Sequence, residues 1–178
     1  MNTKLEFSDQ PVIQTKRVIL RKPALLDSGN VARCLNDFEV AKMLVRVPWP
    51  YSLEGAIWWI NQWLECHQNG WCFAITEINE PNSLIGVVSV EPKDETYEMG
   101  WWLNRSFWGK GYMTEAVGAV VNHARQFNPD ITIGAGAISD NPASLRIQEK
   151  LGFEITGVEQ VHCISRNETV DVIKTRLS

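Results

Sequence analysis

At 178 residues, 44% hydrophobic and 21% charged, the chain has the size and balance of one globular domain, expected to span 1–178. A formal net charge of -4 argues against a general nucleic-acid binder and leaves room for a cationic substrate. No apolar run approaches the roughly 20 residues that cross a bilayer, and "MNTKLEFSDQPV" lacks the apolar stretch of a secretory signal, so neither membrane nor nucleic acid is an expected partner and the cytoplasm is the expected compartment.

In chain order, "RVILR" (17–21) alternates polar with branched apolar residues and predicts a strand closed by Pro23. Residues from about Leu25 to Leu44 read as helix in two pieces, and "VPWPY" interrupts the chain because each proline disfavours helix in the residue before it. Ser52 is a candidate N-cap for "LEGAIWWINQWLECH", where Ile57, Ile60 and Leu64 fall at helical spacing and Trp58, Trp59 and Trp63 widen the stripe. Such a stripe either fills a core or lines a substrate cleft. "WCFAITEI" (71–78) and "SLIGVVSVE" (83–91) predict strands joined at "NEPN", and "TYEMGWWLN" (96–104) predicts a third.

"TEAVGAVVNHARQF" (114–127) is an amphipathic helix with Val117, Val120, Val121, Ala124 and Phe127 on one face. "ITIGAGAI" (131–138) is a strand of small residues. Asn141-Pro142 opens a helix that runs to Leu151 and stops at Gly152, before two strands near Phe153–Glu159 and Thr169–Thr175. The cysteines Cys34, Cys66, Cys72 and Cys163 include no C-x-x-C pair. Cys66, His67 and Cys72 match no zinc spacing and lack a fourth ligand, so free thiols and no metal are expected.

Between the third of these strands and its helix lies "RSFWGKG" (105–111). The first turn of a helix carries N–H groups without intrahelical partners and about half a positive charge. Glycines let the backbone come close to a ligand, and Arg105 and Lys110 add positive charge, a combination that suits a pyrophosphate. It also occurs for purely conformational reasons. Lys110 is followed by Gly111 where a Walker A motif needs Ser or Thr, and Thr114 stands where a dinucleotide fingerprint needs its third glycine.

"YEMGWWLNRSFWGKGYMTEA" followed by "SDNPASLRIQEKLGF" resembles the acetyl-CoA-binding core of the GNAT acetyltransferases, and more narrowly the branch that acetylates ribosomal-protein N-termini at alanine or serine. "TKRVILRKPALLD" and "NDFEVAKMLVRVPWPYSLEGAIWWI" extend the likeness over nearly the whole chain. The resemblance implies an α/β (α+β) fold: a mixed, mostly antiparallel sheet of about seven strands flanked by helices. It implies acetyl-CoA as co-substrate, bound by backbone groups of Trp108, Gly109, Lys110, Gly111, Tyr112 and Met113. The family's phosphate motif begins with Gln or Arg; here Ser106 departs from it, with Arg105 one residue early. The strand 96–104 is expected to splay from its neighbour, so that backbone near Trp102 and Leu103 pairs with the pantetheine arm as an added strand.

Acetyl transfer to an amine requires a deprotonated amine, a stabilised carbonyl oxygen and a protonated leaving thiolate. At pH 7 an α-amine of pKa about 7.8 costs about 1 kcal/mol to deprotonate, against about 4.6 for a lysine. Alternation sets Glu98, Gly100 and Trp102 on one strand face, and Glu98 is the candidate base, with a surface ion pair as its plain alternative. Glu115 is explained by the helix dipole. Many family members carry a tyrosine seven residues after Asn141, where this chain has Gln148; Ser144 matches the serine of the ribosomal branch and is the candidate acid, unless it only bonds local backbone. Asn141 caps its helix, binds the coenzyme, or does both. The leading expectation is an enzyme that joins acetyl-CoA and a primary amine, such as a ribosomal-protein N-terminus, in a ternary complex. The acetylation of a small amine, peptide or antibiotic, and a non-catalytic acyl-CoA sensor, are the alternatives. Segment 37–68, with Trp49, is the expected seat of acceptor specificity, and the chain is a monomer or homodimer.

Overall fold

The computed structural model describes residues 10–65, 70–94 and 96–178, and Cys66 and His67 lie outside these. Five helices and eight strands follow in the order β1 (Ile13–Gln14), β2 (Val18–Arg21), α1 (Ser28–Leu35), α2 (Phe38–Ala41), α3 (Leu53–Glu65), β3 (Trp71–Glu77), β4 (Glu80–Lys93), β5 (Thr96–Leu103), α4 (Tyr112–Phe127), β6 (Ile133–Ile138), α5 (Pro142–Lys150), β7 (Glu154–Cys163) and β8 (Glu168–Leu177). The strands form one sheet in the order β1-β2-β3-β4-β5-β6-β8-β7, eight strands where about seven were expected. Only β5 and β6 run parallel; every other pair is antiparallel.

Both faces of the central strands are covered, which is why "WCFAITE" is apolar almost throughout. Trp71, Phe73 and Ile75 point into one core with Met113, Val117, Val120, Val121 and Ala124 of α4. Cys72 and Ala74, alternating with them, point into another with Val31 and Leu35 of α1 and Ala56 and Ile60 of α3. A smaller cluster of Ile138, Cys163, Val170 and Val172 packs beneath Val45.

Several expectations shift in position. The β3–β4 turn is Ile78-Asn79, with Glu80 already paired to Glu77, so Glu80, Pro81 and Asn82 belong to the strand. Ser52 Oγ accepts the Gly55 N–H at 3.1 Å, as expected of a cap. Ile57 (38% exposed) and Trp58 (64%) face solvent, while Trp59 and Trp63 pack against the α1–α3 core. Phe127 is 58% exposed rather than buried, its ring lying edge-on to Trp71 and His123.

Asp27 anchors the entry to α1. Its carboxylate is fully buried and accepts two hydrogen bonds from Arg21, each 2.8 Å, and one from the Ala24 N–H. The small residues of β6 answer a packing demand: a Cβ at Gly134 would meet Glu98 Oε2 at 2.9 Å, and one at Gly136 would meet Val172 at 3.0 Å. Among the described residues no helix is long and apolar enough to cross a membrane, and no cluster of metal-ligating side chains occurs.

Candidate active site

Gly109 and Gly111 have φ of 74° and 78°, the left-handed region that glycine enters without steric cost. Together they turn the chain from the short 3-10 helix Arg105–Phe107 into α4, with Gly111 as N-cap. The first helical N–H with a carbonyl partner is that of Glu115, bonded to Gly111 O, so those of Tyr112, Met113 and Thr114 open onto the turn. Met113 buries its side chain in the core and Tyr112 turns its hydroxyl onto Glu77, so both can serve a ligand only through backbone. Lys110 Nζ rests over the Phe107 ring. Trp108 donates its indole N–H to Leu103 O at 2.8 Å, which holds the turn against the end of β5.

The turn has a support that local sequence does not reveal. Glu115 accepts from Thr15 Oγ1, from the Arg17 N–H and from Arg17 Nε, and Arg17 Nη1 donates to the Lys110 carbonyl at 2.8 Å. With that carbonyl drawn outward, the neighbouring N–H groups are free to face the other way. Partial burial pushes the Glu115 carboxyl up, but the bonds from Thr15 and Arg17 outweigh it and hold the group below the ordinary carboxylate range. The Arg17 guanidinium also covers the Tyr112 ring, 4.5 Å from its centroid.

β5 and β6 are in register at Tyr97–Ile133, Glu98–Gly134 and Met99–Ala135, and their pairing ends there. β5 continues to Leu103 with β4 as its strand partner. The expected splay is therefore present and begins after Met99. The Tyr97 N–H bonds Thr132 O on the β6 side, and alternation carries the backbone groups of Met99, Trp101 and Leu103 to that side as well. Those of Trp102 point to β4, so the groups open to the gap are those of Trp101 and the Leu103 N–H, one residue from the expected Trp102. The Trp102 side chain packs against the α1–α3 core.

Glu98 sits at the fork of the two strands. It shares a face with Gly100 and Trp102 as expected, but its carboxylate reaches over Gly134 to Lys174, with Lys93 at 3.5 Å. Directly across β4 stands Glu91, which the sequence reading passed over. Burial pushes its carboxyl above the ordinary range and Glu98 adds to the effect, while Arg46 pulls the other way. On the other side of the sheet α5 begins. Asn141 Oδ1 accepts the Ser144 N–H at 3.1 Å, so the cap is formed. The half-buried Ser144 Oγ accepts from Gln148 Nε2.

A cleft of about 430 Å³ opens nearby, lined by Phe38, Lys42, Trp49, Asp140, Ser165, Arg166 and Glu168. The rings of Phe38 and Trp49 pack tilted at 58°, their centroids 4.9 Å apart. Arg166 grips both Asp140 oxygens and the Lys42 carbonyl, tying the β7–β8 turn to the loop before α5 and to the end of α2. Of the tryptophans in 37–68, it is Trp49 that borders this cleft.

Against known proteins, the acetyltransferase (GNAT) domain family matches residues 17–154. The chain is 27% identical over 152 residues to the uncharacterized N-acetyltransferase YoaA of Bacillus subtilis (strain 168), covering 83% of this chain and 85% of the relative. It is 32% identical over 94 residues to the ribosomal-protein-serine acetyltransferase of Escherichia coli (strain K12), covering 51% and 52%. The solved structure of RimL, a ribosomal L7/L12 α-N-protein acetyltransferase in complex with coenzyme A, superposes with a TM-score of 0.78 at 20% identity, over 93% of this chain and 96% of the other.

Proposed function

The chain belongs to the GNAT family of acetyl-CoA-dependent N-acetyltransferases, and from that premise we propose that its acceptor is the α-amine of a protein N-terminus. The observation that carries this reading is the company Glu98 keeps. Lys174 and Lys93 already engage the Glu98 carboxylate at the fork of β5 and β6, and an amine that costs about 1 kcal/mol to deprotonate asks less of a group so engaged than one that costs about 4.6. The E. coli relative, a ribosomal-protein-serine acetyltransferase, lends the same acceptor class support.

The residues fit the coenzyme. The glycine turn leaves open space where a Gly109 side chain would stand, and the N–H groups of Tyr112, Met113 and Thr114, which precede the first helical hydrogen bond, lie at its end with the helix dipole behind them. In this reading they hold the pyrophosphate, while Trp101 and Leu103 bond the amide-bearing arm across the strand gap, and Asn141 fixes the start of α5. Glu98 takes the amine proton directly or through water. The Ser144 hydroxyl donates to the departing sulfur. The cleft beside Phe38 and Trp49 receives the acceptor's first side chains.

Purified protein mixed with acetyl-CoA and synthetic peptides tests the reading by thiol release. Peptides with a free N-terminal serine or alanine should turn over, whereas the same peptides with a blocked α-amine and a free lysine should not. Turnover of the blocked peptides, or of small amines alone, would overturn it. Initial-rate patterns should intersect, as direct transfer requires; parallel lines would count against a ternary complex.

A further inference from the structure

Gln148 stands where a tyrosine is common in the family, yet its amide is 1% exposed, deep between α5 and the sheet. A buried amide demands partners, and these are specific. Thr175 Oγ1 on β8 donates to Gln148 Oε1 at 2.7 Å, and Gln148 Nε2 donates to Ser144 Oγ at 3.2 Å. Thr175 is itself 4% exposed and lies 3.4 Å from the Ala135 carbonyl on β6. The chain of bonds thus runs from the sheet, at Ala135, the last residue of β6 paired to β5, out to Ser144.

Its polarity matters. A hydroxyl has one proton to give and two lone pairs to receive. The threonine proton settles on Gln148 Oε1, since 2.7 Å is a full hydrogen bond and 3.4 Å to the carbonyl is a weak one. That fixes which end of the amide faces Ser144: the NH₂ end. Ser144 Oγ is therefore an acceptor toward Gln148, and among the described residues nothing takes its own proton. Without Gln148, a serine in the first turn of a helix would bond local backbone instead.

The geometry points to Gln148 as a positioning residue that aims the Ser144 proton at the thioester sulfur, with Thr175 setting the direction of the amide. The inference rests on the role given to Ser144 above. In the step it serves, the amine lone pair forms the C–N bond, the C–S bond breaks and its electron pair stays on sulfur. The Ser144 proton passes to that sulfur. The surplus amine proton leaves by way of Glu98 or water, and one solvent proton restores the serine. Donation by Gln148 also stabilises negative charge on Ser144 Oγ, which eases the transfer.

Two measurements on the full chain test this. The first needs no acceptor: the thiol pKa of bound coenzyme A, followed by the ultraviolet absorbance of its thiolate. Ser144→Ala and Gln148→Met should both raise it relative to the unsubstituted protein, and Thr175→Val should do the same while Thr175→Ser restores it. The second is turnover of acetyl-CoA with an N-terminal serine peptide. Gln148→Met should lower kcat about tenfold, the effect of one lost hydrogen bond, with KM for acetyl-CoA unchanged. In a Ser144→Ala background it should lower kcat no further.

A Gln148→Met effect that persists in full without Ser144 would overturn the inference, as would a thiol pKa that moves with Ser144→Ala and not with Gln148→Met. If Ser144→Ala alters neither readout, the role of Ser144 fails and the inference with it. Should Gln148→Met fold poorly, the Thr175 pair decides alone, since a purely structural Thr175 would change unfolding and leave the thiol pKa where it was.

Discussion

Gly109 and Arg17 separate what the glycine turn owes to its own residues from what is supplied across the fold. A Cβ at Gly109 meets no heavy atom within 4 Å, so Gly109→Ala bears only the cost of its positive φ, about 1–2 kcal/mol. Urea unfolding should show that loss, with weaker coenzyme binding beside it. Arg17→Met removes the donor to the Lys110 carbonyl and leaves the glycines untouched. Coenzyme affinity in titration calorimetry should fall about tenfold, close to 1.4 kcal/mol; an unchanged affinity would mean the turn stands by itself. The glycines were legible in sequence because the need for positive φ is local. Arg17 was not, since its partner Glu115 lies 98 positions away and each residue, read alone, is an ordinary strand or helix-start charge. Gln148 showed only as a departure from the family's tyrosine, because its partner Thr175 lies 27 positions on.

Elements were read well where one period dominated. The stripe of α4 and the Asn-Pro start of α5 both appear in the fold, since capping and helical spacing are properties of neighbouring residues. β1, only Ile13–Gln14, is too short to carry a period and exists by pairing with β2. β7 runs to Cys163 because β8 pairs with it, although its outward residues alternate in no apolar pattern. The link from β2 to α1 depends on an ion pair, its carboxylate buried and its guanidinium partly so, that no local motif announces. Asp27→Ala would leave Arg21 only the Pro81 and Lys22 carbonyls and would free the Ala24 N–H, at a cost of about 2 kcal/mol, measurable by chemical denaturation. Asp27→Asn should recover part of that loss, because the Ala24 N–H keeps its acceptor.

At the scale of the molecule, acid should destabilise the fold in two stages. Burial pushes the His123 imidazole below its ordinary pKa, its Nε2 having no hydrogen-bond partner among the described residues, beside Trp71 and Phe127. The unfolded chain therefore takes up that proton first, and stability falls once pH drops below about 6.5. Glu115 adds a second loss below about 4.3, because its folded carboxyl stays ionised where the unfolded one does not. Glu91, shifted upward, works in the opposite sense between these stages. Urea midpoints across pH should show the first limb flattened in His123→Phe and the second in Glu115→Gln.

The divergence of β5 from β6 after Met99 carries a liability as well as a use. Main-chain donors and acceptors turned toward a gap are a template for any extended peptide, including a stray strand of a second molecule. Saturating coenzyme should therefore delay light scattering on warming by more than its effect on the unfolding midpoint accounts for. In this sense the substrate also acts as a guard against clumping.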